Sequence, residues 1–339
     1  MSTTERALDN GMRSEVIEGL LSKLHAYYIF PDVAEEIEQA IRRRLSNGEY
    51  DALTTGDTLC EALTAHLQEV SHDKHLCVFY SVEPQLIRAD GELSPEEHEE
   101  FRQFGVLHNF GVAKVERLSG NIGYLDLRGF FPAEFGAETA VAAMNVLANT
   151  NALIVDVRQN GGGDPAMIAL ISSYLFTQPT HLNSLYWRQG DRTQQFWTMP
   201  YVPGPRYGDK PVYVLTSGDT FSGAAEFAYN LKNLKRATLI GEVTRAGADP
   251  VDRYALNEHV AATIPVGRAI NPITQTNWEG TGVLPDIEVP REDALKVAHH
   301  AALTKVLEAI GDASTGPFKG LKEEAETALA EITGMTQRA

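Results

Sequence analysis

Cysteine is scarce, basic residues are outnumbered, and no long apolar run occurs. The 339 residues include two cysteines, Cys60 and Cys77. Neither stands in a CxxC pair, so neither a disulfide framework nor a zinc ribbon is supported, and both thiols are expected to be reduced, small, buried hydrophobes. The 29 Lys and Arg oppose 46 Asp and Glu, a formal charge of −17. Such a surface repels a phosphate backbone, which argues against nucleic acid as a partner. No stretch of about 18 apolar residues is present, and Met1 to Arg13 is polar with no apolar core. Neither a membrane span nor a signal peptide is expected, and the cytoplasm is the expected location. The 43% hydrophobic and 22% charged residues match an ordinary folded domain, and the length suits one large domain with a smaller one.

The first 81 residues read as a small helical domain. Apolar stripes run through Ile17, Leu20, Leu21 and Leu24, then Val33, Ile37, Ile41 and Leu45, then Leu59, Leu63, Leu67 and Val70. Leu76 to Ser81 turns β-like. Residues 82–115 read as a linker, with an acidic, solvated loop from Glu83 to Glu100 that is too short to hold a further domain. Residues 116–339 alternate strand and helix: Ile122 to Leu127, Glu138 to Ala148, Ala152 to Val157, Pro165 to Leu175, Val212 to Leu215, Ser222 to Leu231, Ala237 to Ile240. That alternation implies an α/β domain built on a largely parallel sheet. Leu182 to Trp187 and Gln194 to Thr198 suggest a hairpin, Val260 to Pro265 and Ala269-Ile270 suggest edge strands, and two helices, Arg291 to Ile310 and Leu321 to Ile332, close the chain.

Four segments could carry chemistry. In Val212 to Glu226 a buried strand runs through a polar turn into a helix that opens at Ser222. A serine there feels the positive helix end and unpaired backbone amides, which suits a nucleophile, although an N-cap is the commoner use of the position. In Val155 to Asp164 a strand runs through Gly161-Gly162-Gly163 into a second helix, a loop whose amides could hold an oxyanion. It matches neither GxGxxG nor the P-loop pattern. In Ser71 to Leu76, His72 and His75 stand three apart, but no HExxH or cysteine pair completes a metal site. In Asn277 to Asp286, Glu279 sits between a tryptophan and glycines in a turn-rich loop.

Together and in this order, these segments resemble the tail-specific (C-terminal processing) protease superfamily, in the branch of interphotoreceptor retinoid-binding protein and tricorn protease. The likeness runs from about Tyr27 to Ala302. It rests on Asp73-Lys-His-Leu76, Gly123-Tyr-Leu-Asp-Leu-Arg128, Asp156-Val-Arg-Gln-Asn-Gly-Gly162, Thr220-Phe-Ser-Gly-Ala-Ala-Glu226 and Trp278-Glu-Gly-Thr-Gly-Val283. The resemblance implies a crotonase-like (ββα) catalytic domain beside a helical N-terminal domain. It makes Ser222 the nucleophile, His75 the base and Glu279 its orienter, with Gly161, Gly162 and Gly223 at the oxyanion hole. It implies no metal and no organic cofactor, and a peptide or small acyl substrate. A homo-oligomer is compatible with it.

Three departures bear on this. The lysine of the Ser–Lys branch is missing from Thr244-Arg-Ala-Gly-Ala248, so a histidine base is required. Ser222-Gly-Ala-Ala-Glu226 and Ala246-Gly-Ala-Asp-Pro250 replace the Ser-Ala-Ala-Glu-Glu and Gly-Gly-Ala-His-Pro usual in close relatives. The peptide-binding PDZ domain of processing proteases is also missing. A carrier of hydrophobic small molecules, or a biosynthetic enzyme that reuses the oxyanion loops, are the rival readings.

Overall fold

The computed structural model describes residues 9–83, 94–312 and 315–336. The chain forms two compact units. The first comprises Met1–Glu99, Ser184–Gln194 and Gly247–Ile270, and the second Glu100–Asn183, Gln195–Ala246 and Asn271–Ala339. In chain order the elements begin with helices α1 (Asn10–Tyr27), α2 (Pro31–Ser46) and α3 (Gly56–Ser71), strand β1 (Cys77–Tyr80) and helix α4 (Pro95–Leu107). There follow β2 (Val112–Leu118), β3 (Ile122–Leu127), α5 (Ala133–Leu147), β4 (Ala152–Asp156), α6 (Pro165–Ser173), β5 (His181–Trp187) and β6 (Arg192–Trp197). Next come β7 (Val212–Thr216), α7 (Gly223–Asn233), β8 (Thr238–Gly241), β9 (Val251–Ala255), β10 (Val260–Pro265) and β11 (Gly267–Ile270). The last are β12 (Ile287–Glu288), α8 (Ala294–Ile310) and α9 (Pro317–Thr336). No helix among the described residues is long and apolar enough to cross a membrane.

In the first unit the three apolar stripes meet in one core. Ile17, Leu20, Ile37, Ile41, Leu59 and Leu63 are wholly buried there. Side chains fix the helix starts: Asp9 Oδ1 accepts from Met12 N at 2.8 Å, and Thr55 Oγ1 from Thr58 N at 3.3 Å. Pro31 opens α2, where its missing N–H costs nothing. The helices are not alone in this unit. β1 pairs antiparallel with β10 from Cys77↔Thr263 to Tyr80↔Val260, and β9 pairs on the far side of β10. The compact unit therefore extends beyond the helical stretch 1–81, because β1 takes its partner from residues 260–263. Val260 to Pro265 is a central strand and not an edge, which its nearly unbroken burial explains. The expected edge at Ala269-Ile270 is β11, paired with β5.

The loop expected over 83–100 also needs correction. Residues 84–93 lie outside the described residues, but Pro95–Leu107 is a helix. Ser94 and Glu97 form a reciprocal capping box, with Glu97 N donating to Ser94 Oγ at 3.2 Å and Ser94 N to the Glu97 carboxylate at 2.6 Å.

The second unit is built on a six-stranded sheet in the order β12-β8-β7-β4-β3-β2. β3, β4, β7, β8 and β12 run parallel and β2 pairs antiparallel at one edge. Every residue of β4 and β7 is buried, as befits strands covered on both faces. Ile122, Ile154, Leu215 and Ile240 pack against Ala294, Ala298, Ala302 and Leu303 of α8. The alternate residues face the other way, towards the side that α5, α6 and α7 cover. β4 and β7 are neighbours, so the loops that leave their carboxyl ends lie side by side, where open parallel sheets bind ligands.

Candidate active site

Ser222 stands between β7 and α7 with φ +51 and ψ −123. A side-chain-bearing residue reaches that region only under constraint, at a cost of about 1–3 kcal/mol. Its hydroxyl makes no capping hydrogen bond, so the strain does not serve helix initiation. The turn before it is stapled to the glycine loop. Ser217 Oγ donates to Arg158 O at 2.6 Å, Thr220 Oγ1 to Val157 O at 2.8 Å, and Phe221 N to Asn160 O at 3.0 Å.

The glycines are sterically required where the two loops touch. Gly162 has φ +105, and a Cβ there would lie 2.7 Å from Gly223 N and 2.8 Å from Ser222 Cβ. Gly163, at φ +137, would place one 2.0 Å from Phe130 O. Sequence reasoning grouped Gly161, Gly162 and Gly223 with Ser222, and the structure brings all four into one corner of the second unit. The amides are not equivalent. Gly162 N donates to Asn160 Oδ1 at 2.8 Å, an engagement that spacing alone does not reveal. Among the described hydrogen bonds, the Gly161, Gly163 and Gly223 amides have no acceptor. Of these, Gly223 N follows the serine directly and stands at the positive end of α7.

Glu279 lies half-buried in the same unit, on the loop between β11 and β12, where its amide donates to Asn277 Oδ1 at 2.9 Å. α7 grips this loop at three points. Asn271 Nδ2 donates to Asn230 Oδ1 at 3.2 Å, the Tyr229 and Thr274 hydroxyls lie 2.9 Å apart, and the buried Trp278 ring packs 5.3 Å from the Tyr229 ring. The helix that carries Ser222 at its head thus anchors the loop that carries Glu279.

Asn230 also donates to Glu226 at 3.4 Å. Burial pushes the Glu226 carboxyl up to about 7, although the Asn183 and Asn230 amides favour its charged form; the Asp164 charge adds to the rise. In Asp156 burial also pushes upward, but hydrogen bonds from Arg158 and Tyr124 outweigh it and hold that carboxyl below its usual range.

His75 and Asp73 belong to the first unit. Both are buried, and the Asp73 carboxylate accepts from the His75 amide at 2.9 Å and from Tyr28 Oη at 3.2 Å. Asp73 Oδ1 also lies 4.0 Å from His75 Nδ1. Asp73 is a carboxylate that the roles inferred from sequence passed over, although it stood in the motif that drew attention to His75. His72 is exposed and ends α3 in the left-handed region with φ 57. Arg245, in the segment that lacks a lysine, holds its guanidinium 4.6 Å from the Phe221 ring, and its amide donates to Thr220 O at 3.0 Å. A guanidinium stays charged and cannot serve as a base, so Arg245 does not stand in for the missing lysine.

A strained serine between a buried parallel strand and a helix, with an open amide directly after it, is the arrangement of serine hydrolases on α/β folds. The chain belongs to peptidase family S41, whose sequence model matches residues 121–289. The model of the N-terminal domain of Peptidase_S41 in eukaryotic IRBP matches residues 10–105. Membership makes the chain a serine-type peptidase and agrees with the resemblance drawn from its motifs.

Solved structures share the fold at low identity. A putative peptidase from Parabacteroides merdae superposes with a TM-score of 0.60 at 20% identity, over 90% of this chain and 99% of that one. The photosystem II D1 C-terminal processing protease gives 0.52 at 15% identity, over 84% and 94%. Tricorn protease gives 0.53 at 15% identity, over 88% of this chain and 37% of its own length. These likenesses establish an α/β fold with a helical N-terminal region.

Proposed function

We propose that the chain cleaves peptide bonds by acyl transfer through Ser222, with His75 as the base and Glu279 as the carboxylate that orients it. The observation that carries the reading is the backbone of Ser222. Strain at a residue that caps nothing, beside glycines that admit no Cβ, has no use in a pure carrier. Ser222 Oγ attacks the scissile carbonyl while its proton passes to His75, and the Gly223 amide, with a second donor from the 161–163 loop, holds the oxyanion. Collapse expels the amine, which takes the proton from His75. A water then attacks the acyl-enzyme carbonyl as its proton passes to His75, and collapse breaks the bond to Ser222 Oγ, releasing the acid while His75 returns the proton to Oγ. Asp73, 4.0 Å from His75 Nδ1, assists Glu279 in holding the ring so that Nε2 serves the proton.

Fluorophosphonate labelling, with the modified peptide mapped by mass spectrometry, tests the nucleophile. Wild type should be labelled at Ser222 and the Ser222→Ala variant not at all. Equal labelling of the two would remove Ser222 from the reaction.

A further inference from the structure

A hollow of 220 Å³ opens beside the glycine loop, walled by Gly161, Gly162, Phe101, Phe131 and Arg128. Small-molecule sites run to about 300–1,000 Å³, so this volume suits one amino-acid side chain better than a cofactor. Its apolar wall is an aromatic cluster. Phe131 lies 5.8 Å from Phe101, and 6.0 Å from both Phe104 and Phe110, between ring centroids. Phe101 remains 39% exposed. Exposed aromatic surface in a concave wall marks a binding surface.

The wall brings in little net charge, because Arg128 pairs with Asp126 at 2.9 Å. Gly161 meets nothing within 4 Å of a notional Cβ, so the glycine side of the hollow is open. Gly162 belongs to this wall and also packs on Ser222, its notional Cβ 2.8 Å from Ser222 Cβ. Gly162 is thus the residue at which the hollow and the serine loop meet.

We infer that this hollow is the specificity pocket of the peptidase and takes a bulky, uncharged apolar side chain, aromatic or leucine-like, from the residue that supplies the scissile carbonyl. The inference rests on the Ser222 reading and adds the substrate class. Phe101 is a specificity-determining residue, since its ring sets the width of the mouth.

Peptidyl diphenyl phosphonates that differ only in the residue attached to phosphorus (Phe, Leu, Ala, Glu or Lys) test it on the full chain, with diisopropyl fluorophosphate as a probe that places no peptide side chain in the hollow. Inactivation by the Phe and Leu compounds should be at least about tenfold faster than by the Ala, Glu and Lys compounds, the discrimination a hydrophobic pocket gives. Phe101→Trp should narrow the mouth and shift the ratio of the Phe to the Ala inactivation rate towards Ala. If that small probe labels Ser222 while the phosphonates react equally, or the Glu compound leads, the pocket assignment is overturned and the nucleophile stands. If no probe labels Ser222, the nucleophile fails and the pocket fails with it.

Discussion

Two of the corners where a helix meets a strand, α3–β1 and β7–α7, place a side-chain-bearing residue at positive φ for different ends. At the α3–β1 corner, His72 sits at φ 57 and ψ 11, and its amide still bonds to Gln68 O. That is an ordinary helix stop, tolerated by polar residues at small cost. At the β7–α7 corner, Ser222 sits at φ 51 and ψ −123, where glycine alone is at ease. Nearly equal φ values therefore separate on ψ. The first corner terminates an element, and the second holds a strained residue whose hydroxyl makes no capping bond. The buried group near the first corner is His75, three residues on, held by the Asp73 carboxylate.

The sharpest way to break this comparison is to exchange the two histidines of the first corner. If His75 is the base, His75→Ala should lower kcat by about 10⁴-fold or more, leaving what substrate positioning and the oxyanion amides provide. His72→Ala should change kcat less than about threefold, since an exposed helix stop touches no reacting atom. Stopped assays on a peptide substrate compare them, and an essential His72 with a dispensable His75 would reverse the assignment.

A smaller effect sharpens the second corner. Glu226 lies one helical turn beyond Ser222, and its carboxyl is raised from 4.5 to about 7. A raised folded value means that the folded state keeps its proton where the unfolded chain has lost it. The stabilisation is fully present below about pH 4.5 and lost as pH climbs through about 7. The loss amounts to about 3 kcal/mol. Glu226→Gln, neutral at every pH, should remove this slope, so urea unfolding at pH 8 should find the variant more stable than wild type. At pH 4 the two should nearly coincide. Parallel pH profiles would show that the carboxyl is not buried as described.

The smallest effect tests the strain itself. Ser222→Gly should raise stability by up to about 1–3 kcal/mol while abolishing activity, because glycine occupies that conformation without a Cβ. A lower Tm would mean that the corner is not strained.

Much of this was legible in the chain. The βα alternation and the three apolar stripes are local periodicities, and the strand, turn and helix around Ser222 can be read from a single stretch of sequence. The centrality of β10 was not legible, since its partner β1 lies far away in the chain and β pairing carries no local signal. Helix α4 was legible and was hidden by its glutamates. Ser94 and Glu97 are the S-x-x-E capping box in plain view, outweighed by the expectation that a dense acidic run is loop. The use of Gly162 N by Asn160, and the stacking of Arg245 on Phe221, depend on side-chain directions that spacing does not specify.

The staples between the two loops are economical in sequence. Ser217 and Thr220 direct their hydroxyls at main-chain carbonyls of Arg158 and Val157, so these bonds ask nothing of the Arg158 and Val157 side chains. The junction is written in few letters: two hydroxyl residues, Asn160, and glycines where backbones touch. Because main-chain carbonyls receive these bonds, substitutions at the residues that supply the carbonyls leave the junction's hydrogen bonds in place.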